Sequence, residues 1–338
     1  MPKTVLLTGI TGFIAKHVAK ELLMAGHTVR GSLRSPSRAE EVRAALRPVL
    51  GDPDALDRLS FVELDLTRDE GWAAAMEGVD ALIHTASPFP MSQPGDPEEL
   101  IRPAVDGAMR ALSAAHAAGV ERVVMTSSSV AIMYCGKDSG STLGEGDWTD
   151  PEHPSANAYA QSKTLAERAA WDFVGKTPGM KLTTVNPGLV AGIPLDDNYG
   201  TSLRLVERFL SGKDPMVPDV GMPVVDVEDV ARLHVRALDY DSSIGHRLIA
   251  SSRWLSLIDI AQHLASLFPE RGIPKRRAPK LALRIVGLFD PTVRQLVPTV
   301  GYHYKVDTSA ANAVLGREFV PAKAAIEKSA RYLTERPA

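Results

Sequence analysis

The first half of the chain alternates short apolar runs with amphipathic segments. Residues 5–8 form an apolar, β-prone run that ends at glycine, as expected for a strand buried on both faces of a parallel sheet. Residues 13–25 then repeat apolar side chains at helical spacing, and Gly26 follows them. Residues 27–33 return to a strand pattern, so the chain opens with a β-α-β unit.

The alternation continues to about residue 187. We predict further strands at 59–64, 80–84, 122–125 and 181–188, and intervening helices at 38–47, 72–76, 98–118 and 159–173. Beyond residue 188 the pattern changes to helical stretches separated by prolines, with a return to the sheet near 224–250. The predicted fold class is α/β, a doubly wound parallel sheet with a smaller, mostly helical C-terminal lobe. The sheet domain is assigned to residues 1–187 and 217–253, and the smaller lobe to 188–216 and 254–338.

A glycine-rich turn joins the first strand to the first helix. Gly9 and Gly12 would allow a phosphate group to approach the backbone N–H groups of the helix N-terminus, and Ala15 is small enough for close packing of helix on strand. An ordinary tight turn is the alternative. Because the turn lies between a predicted strand and a predicted helix, we favour a dinucleotide phosphate site.

The end of the second strand indicates which dinucleotide would bind. An acid there would hold the ribose 2′-hydroxyl of NAD, whereas cations would hold the 2′-phosphate of NADP. Residues 32–38 contain Arg34 and Arg38 and no Asp or Glu. The sequence therefore predicts NADPH, with a solvated basic turn as the alternative.

Composition narrows the class of protein. The 38 basic and 41 acidic residues of the 338 give a formal charge of −3, so no overall field attracts nucleic acid or anionic lipid. The nine histidines lack metal-ligand spacing, and the single cysteine, Cys135, excludes an internal disulfide. We find neither a signal-peptide pattern nor an apolar run of membrane length. We expect a cytoplasmic protein with no metal, nucleic-acid or membrane partner.

Tyr159 and Lys163 are candidates for chemistry. Residues four apart on a helix share a face, so their phenol and ammonium groups can reach one site. This spacing alone equally fits a half-buried tyrosine beside a solvated lysine. The serines at 127–129, which follow the fifth predicted strand, make a site at the carboxyl edge of the sheet the favoured interpretation.

The ordered motifs resemble the extended short-chain dehydrogenase/reductases of the NAD-dependent epimerase/dehydratase superfamily, and within them the dihydroflavonol reductase-like and aldehyde reductase branch. The matching stretches are 7–15, 29–34, 84–88, 123–128, 157–167 and 225–234. They occur in the family's order over about the first 240 residues, and the remainder matches loosely. The resemblance implies a Rossmann fold and an NADP-dependent oxidoreductase.

The resemblance also implies roles for individual residues. The catalytic set would be Ser128, Tyr159 and Lys163: Tyr159 as proton donor, Lys163 lowering the pKa of Tyr159 and bonding the ribose, and Ser128 orienting the substrate oxygen. The implied NADP-binding residues are Gly9, Thr11, Gly12, Phe13, Ile14, Arg34, Arg38, Asp65, Leu66, Thr85, Ala86, Ser87, Thr126, Tyr159, Lys163, Pro187, Gly188, Leu189 and Val190.

The substrate side departs from the plant flavonoid reductases. Those enzymes carry an asparagine five residues after the catalytic serine, where this chain has Met133. The predicted substrate-binding residues are Pro88, Phe89, Ser128, Ile132, Met133, Tyr134 and Met222. Their mostly apolar character disfavours a flavonoid, and no clear CoA phosphate site supports cinnamoyl-CoA. Plain core packing is the alternative for Met133 and Phe89.

We predict an NADPH-dependent reductase that converts small-molecule aldehydes or ketones to alcohols, acting as a monomer or homodimer. A nucleotide-sugar epimerase or dehydratase on the same scaffold is one alternative. Dehydratases of that type typically continue from the serine position with Asp-Glu, and epimerases favour an acid near Leu33; neither is present. A sensor that binds NADPH without chemistry is the other alternative, and the complete Ser128, Tyr159 and Lys163 set argues against it.

Overall fold

The computed structural model describes residues 1–88 and 95–335 and contains a seven-stranded parallel sheet. Its strand order is β10-β7-β5-β4-β1-β2-β3. The strands of the described chain are β1 Thr4–Thr8, β2 Thr28–Leu33, β3 Leu59–Glu63, β4 Ala81–His84, β5 Arg122–Thr126, β6 Thr142–Leu143, β7 Lys181–Pro187, β8 Leu189–Ala191, β9 Gly221–Asp226, β10 Arg247–Ala250, β11 Arg253–Ser256 and β12 Lys305–Val306.

Helices cover both faces of this sheet. The helices of the described chain are α1 Phe13–Met24, α2 Ala39–Leu46, α3 Trp72–Met76, α4 Glu98–Ala117, α5 Val130–Met133, α6 Ala158–Gly175, α7 Gly200–Leu210, α8 Val227–Asp239, α9 Leu257–Leu267, α10 Lys280–Val286, α11 Pro291–Leu296, α12 Ser309–Leu315 and α13 Ala322–Glu335. One apolar core packs α1 and α8 on the sheet, and a second packs α3, α4 and α6 on its other face. The predicted doubly wound α/β fold is confirmed.

The central strands form where the apolar runs predicted them. Strands β4 and β5 are buried at every position, as expected when both faces of a parallel sheet are covered. Because all seven strands run the same way, their carboxyl ends meet at one edge. That edge carries the glycine turn after β1, residues 85–88 after β4 and the serines after β5.

The C-terminal part contains sheets that the sequence patterns did not predict. Strands β8, β9 and β11 form a three-stranded sheet, and β6 pairs with β12. The chain was expected to return to the main sheet near residues 224–250. Strand β10 joins the main sheet, whereas β9 belongs to the smaller sheet. Helices α7, α9 and α13 pack around a third apolar core beside that sheet. The division at residues 187, 217 and 253 stays a prediction.

Gly188 lies where the main sheet passes into the smaller one. Its N–H donates to the carbonyl oxygen of Ala250 at 3.2 Å. A Cβ atom at this position would lie 2.1 Å from the carbonyl oxygen of Pro223 in β9. Since that neighbour is backbone rather than the end of a flexible side chain, β9 would have to move to accept any larger residue.

We therefore expect Gly188→Ala to destabilise the fold. Overpacking should lower the free energy of unfolding by about 1–3 kcal/mol, measured by urea denaturation. Gly51→Ala is the control, because a Cβ at Gly51 meets nothing within 4 Å, and its effect should stay within about 0.5 kcal/mol. Equal midpoints for the two variants would refute the close-packing explanation.

Candidate active site

The turn after β1 leaves room for a phosphate group. Gly9 has φ +67°, and a Cβ there would lie 2.9 Å from the Cα of Ala86. The Gly12 N–H donates to the Gly9 carbonyl oxygen at 2.9 Å, and α1 begins at the next residue with no side chain capping its N-terminus. The uncapped N–H groups and the absence of side-chain bulk fit a pyrophosphate.

The backbone of the serines after β5 continues the hydrogen bonding of that strand to β7. The Ser127 N–H donates to the Val185 carbonyl oxygen at 2.8 Å, and the Ser129 N–H donates to that of Pro187 at 2.8 Å. Ser128 lies between them with 8% of its surface exposed. Its hydroxyl is thereby fixed at the edge of the sheet, beside the turn after β1.

Helix α6 brings Tyr159 and Lys163 to the same edge. Asn157 caps this helix, with its Oδ1 accepting the Ala160 N–H at 2.9 Å. The Tyr159 hydroxyl forms a hydrogen bond with Ser128. Lys163, one turn further along, is 7% exposed. The predicted catalytic residues therefore lie together.

Burial governs the protonation of both groups on α6. It raises the pKa of Tyr159, and the hydrogen bond with Ser128 acts in the opposite direction. Burial lowers the pKa of Lys163 to about 8, while the charge of Glu167 acts to raise it. The predicted lowering of the pKa of Tyr159 by Lys163 concerns the site with oxidised nicotinamide bound, and it stays a prediction.

A cleft of about 240 Å³ joins these elements. Its lining includes most of the predicted catalytic and cofactor residues: Gly9, Gly12, Phe13, Ile14, Thr85, Ser87, Thr126, Ser128, Tyr159, Lys163, Pro187, Gly188 and Val190. A second groove, of about 510 Å³, lies between α3 and α4 and contains none of the predicted site residues. The predicted catalytic residues therefore all lie in the smaller cleft.

Other predicted cofactor residues lie outside the wall of this cleft: Thr11, Arg34, Arg38, Asp65, Leu66, Ala86 and Leu189. Arg38 forms a two-pronged pair with Glu41, from Nε at 2.8 Å and Nη2 at 2.7 Å. The carboxylate of Glu41, three residues after Arg38, thus lies near the predicted 2′-phosphate site. Arg34 is exposed at the end of β2.

Ser127 and residues 199–202 form another wall of the cleft. None of these residues is among the predicted site residues. This segment follows a loop fastened to the glycine turn, because the Asn198 side-chain amide donates to the Thr11 carbonyl oxygen at 2.8 Å. Lys16 in α1 pairs with Asp196 in the same loop. No periodic pattern marks residues 193–202, so only the structure reveals this wall.

Among the predicted substrate residues that the structure describes, only Ser128 lines the cleft. Ile132, Met133, Tyr134 and Met222 share one apolar cluster with other side chains: Val130, Cys135, Leu143, Ile249, Trp254, Tyr304 and Val306. Ile132 is 1% exposed and Met133 7% exposed, so both are core residues here, as the alternative held for Met133. Pro88 is half-buried, and Phe89 falls outside the described residues.

Neither a metal-ligand cluster nor a membrane-spanning helix is found in the part of the chain that the structure describes. Across residues 1–88 and 95–335, no three His, Cys, Asp or Glu side chains cluster as ligands for a metal ion. In those same ranges, no helix has the length and hydropathy to cross a bilayer.

The fold and the site define a dinucleotide-binding oxidoreductase of the extended short-chain dehydrogenase/reductase class. Residues 5–249 match the model of the NAD dependent epimerase/dehydratase family, and the chain belongs to that family, in its dihydroflavonol reductase-like branch. The resemblance seen in the motifs is confirmed.

Relatives support this placement. The chain is 33% identical to cinnamoyl-CoA reductase 2 of Arabidopsis thaliana, over 99% of this chain and 93% of that protein. It is 31% identical to an anthocyanidin reductase of Vitis vinifera, over 80% and 83%. Yeast methylglyoxal/isovaleraldehyde reductase Gre2, solved in complex with NADPH, superposes with a TM-score of 0.80 at 29% identity, over 98% of each chain.

The arrangement of Arg34, Arg38 and Glu41 predicts opposite effects on cofactor affinity. Arg34→Ala removes a cation and should weaken NADPH binding on the order of tenfold, leaving NADH binding unchanged. Glu41→Gln releases Arg38 from its carboxylate partner and should tighten NADPH binding instead. Dissociation constants from fluorescence titration with both cofactors measure each effect.

Arg47→Ala is the matched control for this test. Arg47 directly follows α2 and pairs with Glu40 at the surface. Its removal should alter neither dissociation constant. The 2′-phosphate assignment is refuted if Arg34→Ala weakens NADPH and NADH binding equally.

Proposed function

We propose that this protein is an NADPH-dependent reductase that converts aldehydes or ketones to alcohols. The observation that carries the proposal is the meeting of Ser128, Tyr159 and Lys163 in one cleft with the glycine turn after β1. The family membership supports it, since the relatives are named as reductases and yeast Gre2 is named for two aldehydes. No relative given above is an epimerase, which favours a reductase over that alternative.

NADPH, when bound, supplies the hydride for such a reaction. The chain offers uncapped N–H groups at the start of α1 for the pyrophosphate, and Arg34 with Arg38 for the 2′-phosphate. Pro187, Gly188 and Val190 line the cleft together with Ser128 and form the expected surface for the nicotinamide ring. Yeast Gre2, solved in complex with NADPH, supports the choice of cofactor.

Tyr159 is the proton donor in this proposal. A carbonyl that accepts hydride develops negative charge on its oxygen, which requires a positioned donor. With its pKa raised by burial, the Tyr159 phenol keeps its proton at neutral pH, and its hydrogen bond with Ser128 directs both hydroxyls at one point. Ser128 then orients the carbonyl oxygen that takes the proton.

Lys163 supports the phenolate that remains after the proton has left. Its ammonium, one turn along the helix, offers a positive charge in a buried setting where charge interactions are strong. With a pKa of about 8, most of this group is charged at pH 7 and loses its charge as pH rises through that value. Activity should therefore decline on the alkaline side of about pH 8.

The substrate class rests on the apolar cluster beside the cleft. Tyr134, Met222 and Trp254 are among its half-buried members. They favour aldehydes, ketones, β-ketoesters or diketones with an apolar substituent. Cinnamoyl-CoA belongs in the same panel because of the relatives' names.

Three further parts of the prediction remain proposals. The first assigns cofactor binding to residues 1–187 and 217–253, and substrate binding to residues 188–216 and 254–338. A separate lobe is supported by the small sheet of β8, β9 and β11 and by the apolar core that α7, α9 and α13 share. The second is a cytoplasmic location, which the single cysteine supports. The third is a monomer or homodimer.

Tyr159→Phe tests the proposal most simply. Loss of the phenolic proton should reduce kcat by about 10²–10⁴-fold on any carbonyl of the panel, while the NADPH dissociation constant stays near that of the parent protein. NADPH oxidation and fluorescence titration provide the measurements. Tyr240→Phe, at an exposed tyrosine of α8's C-terminus, is the control and should retain full activity.

Two outcomes would contradict the assignment. A Tyr159→Phe enzyme with most of its activity would show that another group supplies the proton. If the parent protein binds NADPH stoichiometrically and consumes none with any carbonyl, the sensor alternative is correct.

A further inference from the structure

A carboxylate lies buried beneath the cleft, one turn of α6 beyond Lys163. The side chain of Glu167 has no exposed surface and accepts hydrogen bonds from five residues. They are Ser127 Oγ at 2.6 Å, Arg247 Nε at 2.7 Å, Asn186 Nδ2 at 2.8 Å, Thr184 Oγ1 at 2.9 Å and Trp171 Nε1 at 3.3 Å. One acid thus joins α6 to the ends of β5, β7 and β10.

These bonds lead directly to the catalytic serine. The Asn186 side-chain amide donates both to Glu167 and, at 3.2 Å, to the carbonyl oxygen of Ser128. Ser127, the neighbour of Ser128 in the chain, donates to the same carboxylate. The backbone that presents the Ser128 hydroxyl is therefore held on both sides of its peptide by groups that Glu167 anchors.

Arg247 extends the network to the loop before α6. Its Nη1 donates to the carbonyl oxygens of Glu145 at 2.8 Å and Asp147 at 2.5 Å. Its guanidinium lies 3.5 Å from the centre of the Trp148 ring. This arginine is nearly as buried as Glu167, so the two charges form an ion pair shielded from solvent.

The negative charge of Glu167 also affects the pKa of Lys163. Glu167 is the acid that acts to raise the pKa of Lys163, against the lowering by burial. The other titratable groups around this ammonium are Tyr159 on its own helix and His84 at the end of β4, and the pKa of His84 is lowered by burial to about 3, which leaves the imidazole neutral. Glu167 is thus a negative charge that favours the ammonium form of Lys163.

We propose that Glu167 is a positioning residue for the reaction: through Asn186 and Ser127 it fixes the place of Ser128, and its carboxylate, one helical turn from Lys163, supplies a negative charge next to that ammonium. This inference rests on the proposed reductase function, because it gives Ser128 and Lys163 their roles. It assigns to the Glu167–Arg247 pair a purpose beyond holding the fold, since buried ion pairs alone are weak contributors to stability.

Glu167→Gln is the direct test, and a double variant separates a loss of stability from a loss of function. The single change preserves size but leaves the Arg247 charge unpaired in the interior. Glu167→Gln combined with Arg247→Met removes both charges and should recover much of the lost melting temperature. If Glu167 acts only as a partner of Arg247, the double variant should also recover activity.

We expect both variants to keep the catalytic defect. Values of kcat should fall on the order of 10- to 100-fold, because Ser128 is no longer fixed, while KM changes less. The alkaline limb of the pH profile should move down by on the order of one pH unit, since Lys163 loses its ammonium at lower pH. Full recovery of kcat and of the alkaline limb in the double variant would overturn the proposal.

Asp229→Asn is the matched control, at a buried carboxylate on α8 that pairs with Arg317 and accepts the Val320 N–H at 2.7 Å. It should lower the melting temperature without moving the alkaline limb. A Glu167→Gln profile identical to that of Asp229→Asn would also overturn the proposal.

A readout without turnover separates this proposal from the reductase function. NADPH affinity, measured by fluorescence titration between pH 6 and about pH 10, should fall at lower pH in Glu167→Gln than in the parent protein, since the Lys163 charge contributes to binding. Should the parent protein reduce no carbonyl, the reductase function fails and this shift still tests Glu167. An unshifted NADPH affinity profile contradicts the effect of Glu167 on Lys163.

Discussion

The burial of a charged lysine at the carboxyl edge of the sheet is the constraint on which the rest of the site depends. An ammonium removed from water is costly unless a partner compensates for the lost hydration. In this protein Lys163 is 7% exposed, and the negative charge of Glu167 lies one helical turn away. Helix α6 must therefore sit on the sheet at a fixed depth, which also places the Tyr159 phenol against Ser128.

The sequence predicted the elements that a local pattern encodes. Strand β1, helix α1 and strand β2 form where an apolar run, a helical stripe and a second run occur, and the glycine turn lies between the first two. Fixed spacing likewise identified Tyr159 and Lys163, since residues four apart on a helix share a face. The order of motifs along the chain then assigned Ser128 to the same edge of the sheet.

Features made by distant segments could not be predicted in this way. The wall at residues 199–202 and the pairing of β8, β9 and β11 depend on tertiary contacts that no periodic pattern records. The pairing of Arg38 with Glu41 and the raised pKa of Tyr159 are also consequences of geometry and burial. Apolar residue type alone cannot separate a pocket wall from a core, which is why Ile132 was assigned to the substrate.

Hydride transfer to a carbonyl carbon is the central claim, and isotope transfer measures it most directly. The protein would be incubated with NADPH deuterated at the reactive carbon of the nicotinamide and with the carbonyl panel, and the alcohols analysed by mass spectrometry. We expect a product with a single deuterium on the carbon that carries the new hydroxyl, formed about 10²–10⁴-fold more slowly by Tyr159→Phe. NADPH that binds while no carbonyl gains deuterium would contradict it.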